Sequence, residues 1–494
     1  MTAVLIATIG TRDLMFQISS GTWYNIGDDR MRNADIIGEQ AEVISDLSLS
    51  TITYRDLTKY LLDNITTFRG RIKPAIIGKF LCEQATQIEK VYLMATDQKE
   101  EVQEREKDTI YASELIKDWI VNEFHHINTD AVEIITLGLD DINPSNFEQM
   151  FHWWRKTWRH KINIEANQSI WVCLKGGVGQ ASEASRISGL SLYGDRIQFF
   201  EFKQNTQANR VGIPSDYSEP FLGTNYLWDR TQQQALKLLN RYDYAEVYDL
   251  LLPYFQQPNS GFGAVPNLLK AGMAWNQGQF KSFFSLAKSF VKIAEQVKDT
   301  YWLIAYEQAY LGVIRLQQQN TIEAMLHSHR SIEGLLYLWA INSFPNNVKE
   351  RQNQYPSLKR SIIQTYSSLN RHFYNSQGHQ LEEIALLGQI LEDLLTTAIP
   401  KTAISLDLKV FWTSARTMRN TLSHRLGGLA EKEVFEAWDV TNSEQWQKRV
   451  LNCLNLVTKQ SFKSLSQASV FDKIHNQVVA AIAQHELRGC LKSF

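Results

Sequence analysis

Arg419, Asn420 and His424 place a guanidinium, an amide and an imidazole within six residues. Such a set suits RNA cleavage without a metal. The imidazole can take the proton of a ribose 2'-hydroxyl or return one to the leaving oxygen, while the guanidinium stabilises charge developing on the phosphorus oxygens. Asn420 could hold the ribose or the phosphate. Asn420 and His424 are four apart and would share a helix face, whereas Arg419 lies roughly 140° around the cylinder from His424. That offset predicts that Arg419 sits at a helix start or serves a partner chain. Phe411, Ala415, Met418 and Leu422 fall on one apolar stripe and predict a helix from Leu406 to Leu426. A short motif also fits a plainer reading, a surface arginine and a histidine that caps or packs.

The elements that must position these residues are set by composition first. A chain of 494 residues exceeds one ordinary core, and 44% hydrophobic with 21% charged residues is globular, so two or more folded domains are expected. The formal net charge of -2 excludes a broadly basic surface, so any nucleic acid would meet a local site. Cys82, Cys173, Cys453 and Cys490 are far apart and suggest neither a zinc site nor a disulfide framework, which makes a reducing cytoplasm the natural setting. No apolar run reaches membrane length, and the first one is too short for a signal or anchor, so no membrane partner is expected.

Along the first part, apolar runs alternate with amphipathic segments. Strands are expected at Ala3 to Ile9, Lys90 to Ala95, Ala131 to Leu137, Ser169 to Leu174 and Arg196 to Phe202. Helices are expected at Ile72 to Glu89, Glu104 to Phe124, Ser145 to His160 and Gln180 to Leu190. The polar stretch 14–60 could hold a hairpin through pieces such as Thr51 to Tyr54. This alternation predicts a Rossmann-like, mostly parallel, doubly wound α/β sheet.

Ligands of such sheets bind beyond the carboxyl ends of the strands, where strand order reverses. Three strand ends carry suitable residues: Gly10-Thr11-Arg12-Asp13, Thr96-Asp97-Gln98, and Lys175-Gly176-Gly177-Val178-Gly179-Gln180. Glycines let backbone N–H groups approach phosphate oxygens, a helix N-terminus favours an anion, and Lys175 adds charge. The same glycines would also serve a tight turn with no ligand. A Walker loop is excluded because Lys175 precedes the glycines, and a nicotinamide or nucleotide cofactor enzyme is disfavoured because the first loop has only Gly10.

With its Gly10-Thr11-Arg12-Asp13 and Lys175-Gly176-Gly177-x-Gly179-Gln180 loops, the first part resembles the CARF domain, a Rossmann-like sensor of cyclic oligoadenylates. Through Arg419, Asn420 and His424 the last part resembles a HEPN ribonuclease domain, and together they resemble the stand-alone ribonucleases of type III CRISPR defence. The resemblance implies a CARF domain over residues 1–215, a helical connector over 216–260 and an all-α HEPN domain over 261–494. It implies a homodimer whose paired sensors bind a cyclic oligoadenylate, tetra-adenylate favoured over hexa-adenylate, and allosterically activate a composite cleft that cuts single-stranded RNA. No other cofactor is implied. Some sensors of this family also cut their own ligand, so Thr11 and Lys175 are candidates for that step. The rival reading is a non-catalytic, ligand-sensing regulator whose helical domain binds a partner.

In the helical remainder, Pro214 and the polar residues 215–219 suggest a boundary. Helices are expected over Tyr226 to Phe255 with a break at Arg241-Tyr242-Asp243, and over Ala264 to Val297, Thr300 to Gln318, Ile322 to Phe344, Pro356 to Tyr374 and Gln380 to Leu395. His327 and His329, two apart, point to different helix faces and suit partly buried histidines better than a metal pair. Trp153, Trp154 and Trp158, interleaved with Arg155, Lys156 and Arg159, could stack on bases but fit better as the core face of a helix.

Overall fold

A computed structural model describes residues 2–17, 21–27, 52–139, 142–176, 178–203, 205–209, 211–257, 260–290, 301–351 and 354–486. Gly177, Thr51, Cys490 and the end of the helix expected to reach Val297 lie outside the described residues. The chain forms two compact units, the first running to Asp229 and the second from Arg230.

The first unit is built on a six-stranded sheet in the order β11-β8-β7-β1-β5-β6. Its strands are β1 (Ala3–Thr8), β5 (Ile88–Thr96), β6 (Val132–Leu137), β7 (Ser169–Cys173), β8 (Ile197–Phe200) and β11 (Phe221–Leu222). All pairings are parallel except that of β11 with β8. Every residue of β1 is buried, because helices cover both faces. Ala3, Leu5 and Ala7 enter one core, and Val4 and Ile6 enter the other. The second core also takes Trp153, Trp154 and Trp158 from the helix Phe147–His160, so the tryptophans are core, as their spacing indicated.

A side sheet joins β2 (Leu14–Gln17), β3 (Trp23–Ile26) and β4 (Ile72–Pro74) in the order β3-β2-β4. The observed hairpin is thus β2–β3, while Thr53 caps the helix Tyr54–Asp63 by accepting from the Asp56 N–H. Ile72 begins a strand where a helix was expected, because it pairs with Phe16. The helix expected from Glu104 starts at Ile110, since a 3₁₀ turn over Gln103–Lys107 precedes it. The last strand is interrupted at Glu201, and β9 (Phe202–Lys203) pairs with β10 (Asp216–Tyr217).

Helices dominate the second unit. Tyr242 takes a left-handed φ of 58° where the break at Arg241 to Asp243 was expected, between the helices Gly223–Leu239 and Tyr244–Phe255. Gly278, with φ 71°, separates Val265–Asn276 from Phe280–Ala287. Leu303–Gln317 and Thr321–Ser343 then pack against each other. Glu307 is fully buried and accepts from the Trp275 indole, the Ser469 hydroxyl and the Val470 N–H; burial nevertheless pushes its carboxyl up to about 7.

One stretch departs from expectation. Residues 356–374 are no helix but β13 (Ser357–Lys359) followed by 3₁₀ turns at Arg360–Gln364 and Ser367–His372. β13 lies between β12 (Val348–Lys349) and β14 (Glu383–Ala385), the latter inside the segment expected to be helical from Gln380. Leu358, Ile362, Leu369 and Phe373 are all buried at helix-like spacing, so periodicity alone mistook a strand and two tight turns for one helix.

Candidate functional sites

In the first unit the sheet order reverses at β1, with β5 on one side and β7 on the other. The loops after β1 and β7 therefore flank the switch point, where an open α/β sheet leaves a crevice. Gly10 to Asp13 closes as a turn, the Asp13 N–H bonding the Gly10 carbonyl at 3.2 Å. Asn25 donates to the Arg12 carbonyl at 2.9 Å. Gly27, with φ 84°, lies so close that a Cβ there would strike the Thr11 carbonyl oxygen. Thr11 is half-buried, and Arg12 is exposed.

Asp13 is buried beneath this loop. One oxygen accepts from the Gly10 N–H, and the other has no partner among the described residues. Burial pushes its carboxyl up to about 7, against the pull of the Gly10 N–H and of Lys175. Gly176, on the loop after β7, is buried against Gly10, Asp13 and the Thr8 carbonyl, with no room for a Cβ. Asp13 thus lies at the seam of the two loops. Gly10, Thr11, Arg12, Asp13, Lys175 and Gly176 line one cavity of about 360 Å³.

Gly179 opens the helix Gly179–Tyr193; the N–H groups of Ala181 and Ser182 turn back to the Val178 carbonyl, and those of Gly179 and Gln180 have no carbonyl of their own helix to bind. Lys175, Gly179 and Gln180 are exposed beside it. A second cavity of about 690 Å³ shares Gly10 and Thr11 and extends over Thr96, Gln98 and Val178.

The end of β5 is a wall tied by side-chain contacts. Thr96 and Thr109 exchange backbone-to-hydroxyl bonds at 3.0 and 3.1 Å. Arg55 bonds Asp97 at 2.8 Å and Asp108 at 3.0 Å, and Asp108 also holds both the backbone and the side-chain amide of Gln98. Asp97 is therefore committed to an ion pair. Arg55 and Asp108, not singled out in the sequence, are supplied by a neighbouring helix and a 3₁₀ exit, and no local motif marks them.

In the second unit, Arg419 lies in the last turn of the helix Arg416–Leu422, not at a helix start. That helix continues Leu406–Val410 through a π turn, Phe411–Ala415. The extra residue is decisive. On an ideal helix Phe411 and Arg419 would be roughly 80° apart, and one inserted residue reduces this to about 20°. Phe411 and Ala415 are fully buried, and Arg419 follows on their face with its side chain half-buried.

Arg419 Nη2 donates to both Glu333 oxygens, at 2.9 and 2.8 Å, and its Nη1 donates to Asn420 Oδ1 at 3.0 Å. The helix ends at Leu422, short of the expected Leu426, and the His424 N–H turns back to the Thr421 carbonyl at 3.0 Å. Asn420 and His424 therefore do not share a helix face; His424 sits in the turn beyond it, exposed.

His327 and His329 are both buried, as expected of ordinary helix histidines. His329 packs tilted against Phe411, and burial, followed by the charges of Arg419 and Arg416, pushes its imidazole down to about 3. Glu333 escaped the sequence reading because it stands 86 residues before Arg419, and for the same reason nothing tied His329 to the motif. Only the observation that Ala415 and Arg419 share a stripe could have asked for a buried partner.

No family model matches the chain, and no curated protein matches it. Among solved structures it is similar to Enterococcus italicus Csm6 bound to cyclic hexa-2'-fluoro-hexa-dAMP. The TM-score is 0.58 with 12% identity, covering 97% of this chain and 100% of that chain. The likeness is one of fold and runs through both units, an α/β domain followed by a helical one, as the sequence reading expected. No helix among the described residues is long and apolar enough to cross a membrane.

Proposed function

We propose that this chain is a cyclic-oligoadenylate-activated endoribonuclease of type III CRISPR defence, with its sensor in the first unit and its cleaving residues in the second. The observation that carries the reading is a conjunction. A phosphate-suited crevice lies at the switch point of a Rossmann-like sheet, and a half-buried Arg419 stands beside Asn420 and an exposed His424 at a helix end, all in a fold shared with a cyclic-hexanucleotide-bound Csm6.

In this reading two chains pair about a two-fold axis, which suits a ring with near two-fold symmetry. Backbone N–H groups after β7, Lys175, Thr11 and Arg12 hold the phosphates. The larger cavity, walled by Thr96 and Gln98, takes adenine or ribose. Ligand binding favours one arrangement of the helical units, in which Arg419 and His424 of both chains line a cleft. His424 moves the proton between the ribose 2'-hydroxyl and the leaving oxygen, and Arg419 stabilises the phosphorane charge. The 2'-oxygen bonds to phosphorus, the P–O5' bond breaks, and a cyclic phosphate remains. Of the two rings, tetra-adenylate is the favoured activator. Thr11 and Lys175 are placed to assist opening of the ring itself by the same in-line attack.

The test is cleavage of a quenched single-stranded RNA reporter in excess chelator, with cyclic tetra- or hexa-adenylate, beside His424→Ala. Cleavage that needs one ring and His424 supports the whole reading. Unchanged cleavage by His424→Ala overturns the catalytic assignment, and ligand binding without any cleavage favours the non-catalytic regulator.

A further inference from the structure

We infer that Glu333 is a positioning residue for Arg419, fixing the orientation in which its guanidinium meets the scissile phosphate. This rests on reading Arg419 and His424 as the cleaving pair.

A guanidinium has five N–H donors in a rigid fork. In Arg419, Nη2 donates to both Glu333 oxygens and Nη1 donates to Asn420 Oδ1. The Nε–H and the second hydrogen of Nη1 make neither contact. They diverge on opposite sides of the group, so the carboxylate, by holding Nη2, leaves single donors at a fixed orientation for a phosphate oxygen. Asn420 closes the fork from the same helix, which gives the amide a task besides touching RNA.

The support behind Glu333 is built into the core. Glu333 stands in the middle of the helix Thr321–Ser343, one turn after His329. His329 is buried, its Nδ1 is 4.0 Å from a Glu333 oxygen, and its ring packs tilted against Phe411 at 4.7 Å between centroids. Held neutral by burial, this imidazole does not compete with Arg419 for the carboxylate. Phe411 belongs to the π turn that brings Arg419 onto the same face. The turn, the packed histidine and the ion pair therefore act together: the first aims the arginine, the second supports the carboxylate, and the third sets the rotation of the fork. Arg416, whose guanidinium reaches Gly388, is directed elsewhere.

The contact has a second physical consequence, because Glu333 offsets the charge of Arg419. If the pair served to withhold the arginine until the activator binds, removing the carboxylate would release activity. If it positions the arginine, removing it lowers turnover. The two roles predict opposite signs.

The experiment compares full-length wild type, Glu333→Gln, Arg419→Lys and the double variant in ring-activated RNA cleavage, with thermal unfolding of each. Glu333→Gln retains shape and one acceptor but not the charge or the paired oxygens. A misplaced catalytic group costs on the order of 10²-fold, so the expected result is a roughly 10- to 100-fold lower kcat, KM within about 2-fold and a wild-type melting temperature. In the Arg419→Lys background Glu333→Gln should add nothing, because its effect passes through the fork. Where Arg419→Lys falls below detection, the same cycle is read from affinity for RNA carrying a single 2'-deoxy nucleotide at the cut site. A wild-type kcat in Glu333→Gln, cleavage without activator, or independent effects of the two substitutions would each overturn the inference while leaving the ribonuclease reading intact. Absence of cleavage by the wild type itself overturns both.

Discussion

At the strand ends, the groups that would face an anion are backbone N–H groups joined by Thr11, Arg12 and Lys175, on two loops held by contacts among Gly10, Asp13 and Gly176 beside the switch point. At the helix end, the corresponding groups are a guanidinium and an imidazole, and the arginine is placed by a glutamate 86 residues earlier on another helix. The first site is formed by main-chain geometry that tolerates almost no added atom. The second is formed by side chains on a register set by one extra helical residue. A backbone site suits a ligand recognised by its phosphates, and a side-chain site suits proton transfer, where a titrating group must move a proton on demand.

That contrast can be broken experimentally. The largest expected effect is at the helix end: His424→Ala should lower RNA cleavage by about 10²- to 10⁴-fold while calorimetric affinity for the cyclic ligand stays at the wild-type value. A change in both would show that the sites are not separable.

Gly176→Ala should act in the other unit, since its Cβ would strike the Gly10 backbone, Asp13 and the Thr8 carbonyl. Overpacking of this kind costs about 1–3 kcal/mol, measurable by denaturant unfolding, with ligand binding lost as the seam opens. Gly179→Ala is its control. Nothing lies within 4 Å of a Cβ there, so stability should hold within about 0.5 kcal/mol.

Lys175→Gln should weaken ligand binding about tenfold, near 1.4 kcal/mol, and flatten its salt dependence without altering stability.

A further comparison is between two buried carboxyls, one in each unit. Asp13 rises from 3.8 to about 7 and Glu307 from 4.5 to about 7, burial being the first cause in both. Each folded carboxyl keeps its proton to higher pH than the unfolded chain does. The folded state thus binds more protons within those windows, and stability falls as pH rises through them. Asp13→Asn should remove its share of that slope between about pH 4 and 7, and Glu307→Gln its own, in melting temperature against pH. If Asp13→Asn leaves the slope unchanged, the seam carboxyl is already ionised below that range.

Much of this was legible in the chain. Apolar runs such as Ala3 to Ile9, alternating with amphipathic segments, determined a doubly wound sheet, because a strand buried on both faces has no polar alternation to hide it. The tryptophans at 153, 154 and 158 declared their core face by spacing. The residue types at the three strand ends and in Arg419-Asn420-x-x-x-His424 suggested the chemistry proposed above, since donors, glycines and imidazole are properties of composition.

Only the tertiary structure decided how those residues are used. It paired Asp97 with Arg55, placed Asp13 beneath its loop and ended the helix before His424. It turned residues 356–374 into a strand and two tight turns, because burial of Leu358 and Phe373 can be satisfied by more than one backbone path. It also brought Glu333 to Arg419. Local sequence specifies periodicity and side-chain chemistry, whereas partners distant in the chain meet only when helices pack, and a single π turn suffices to rotate an arginine from solvent toward such a partner.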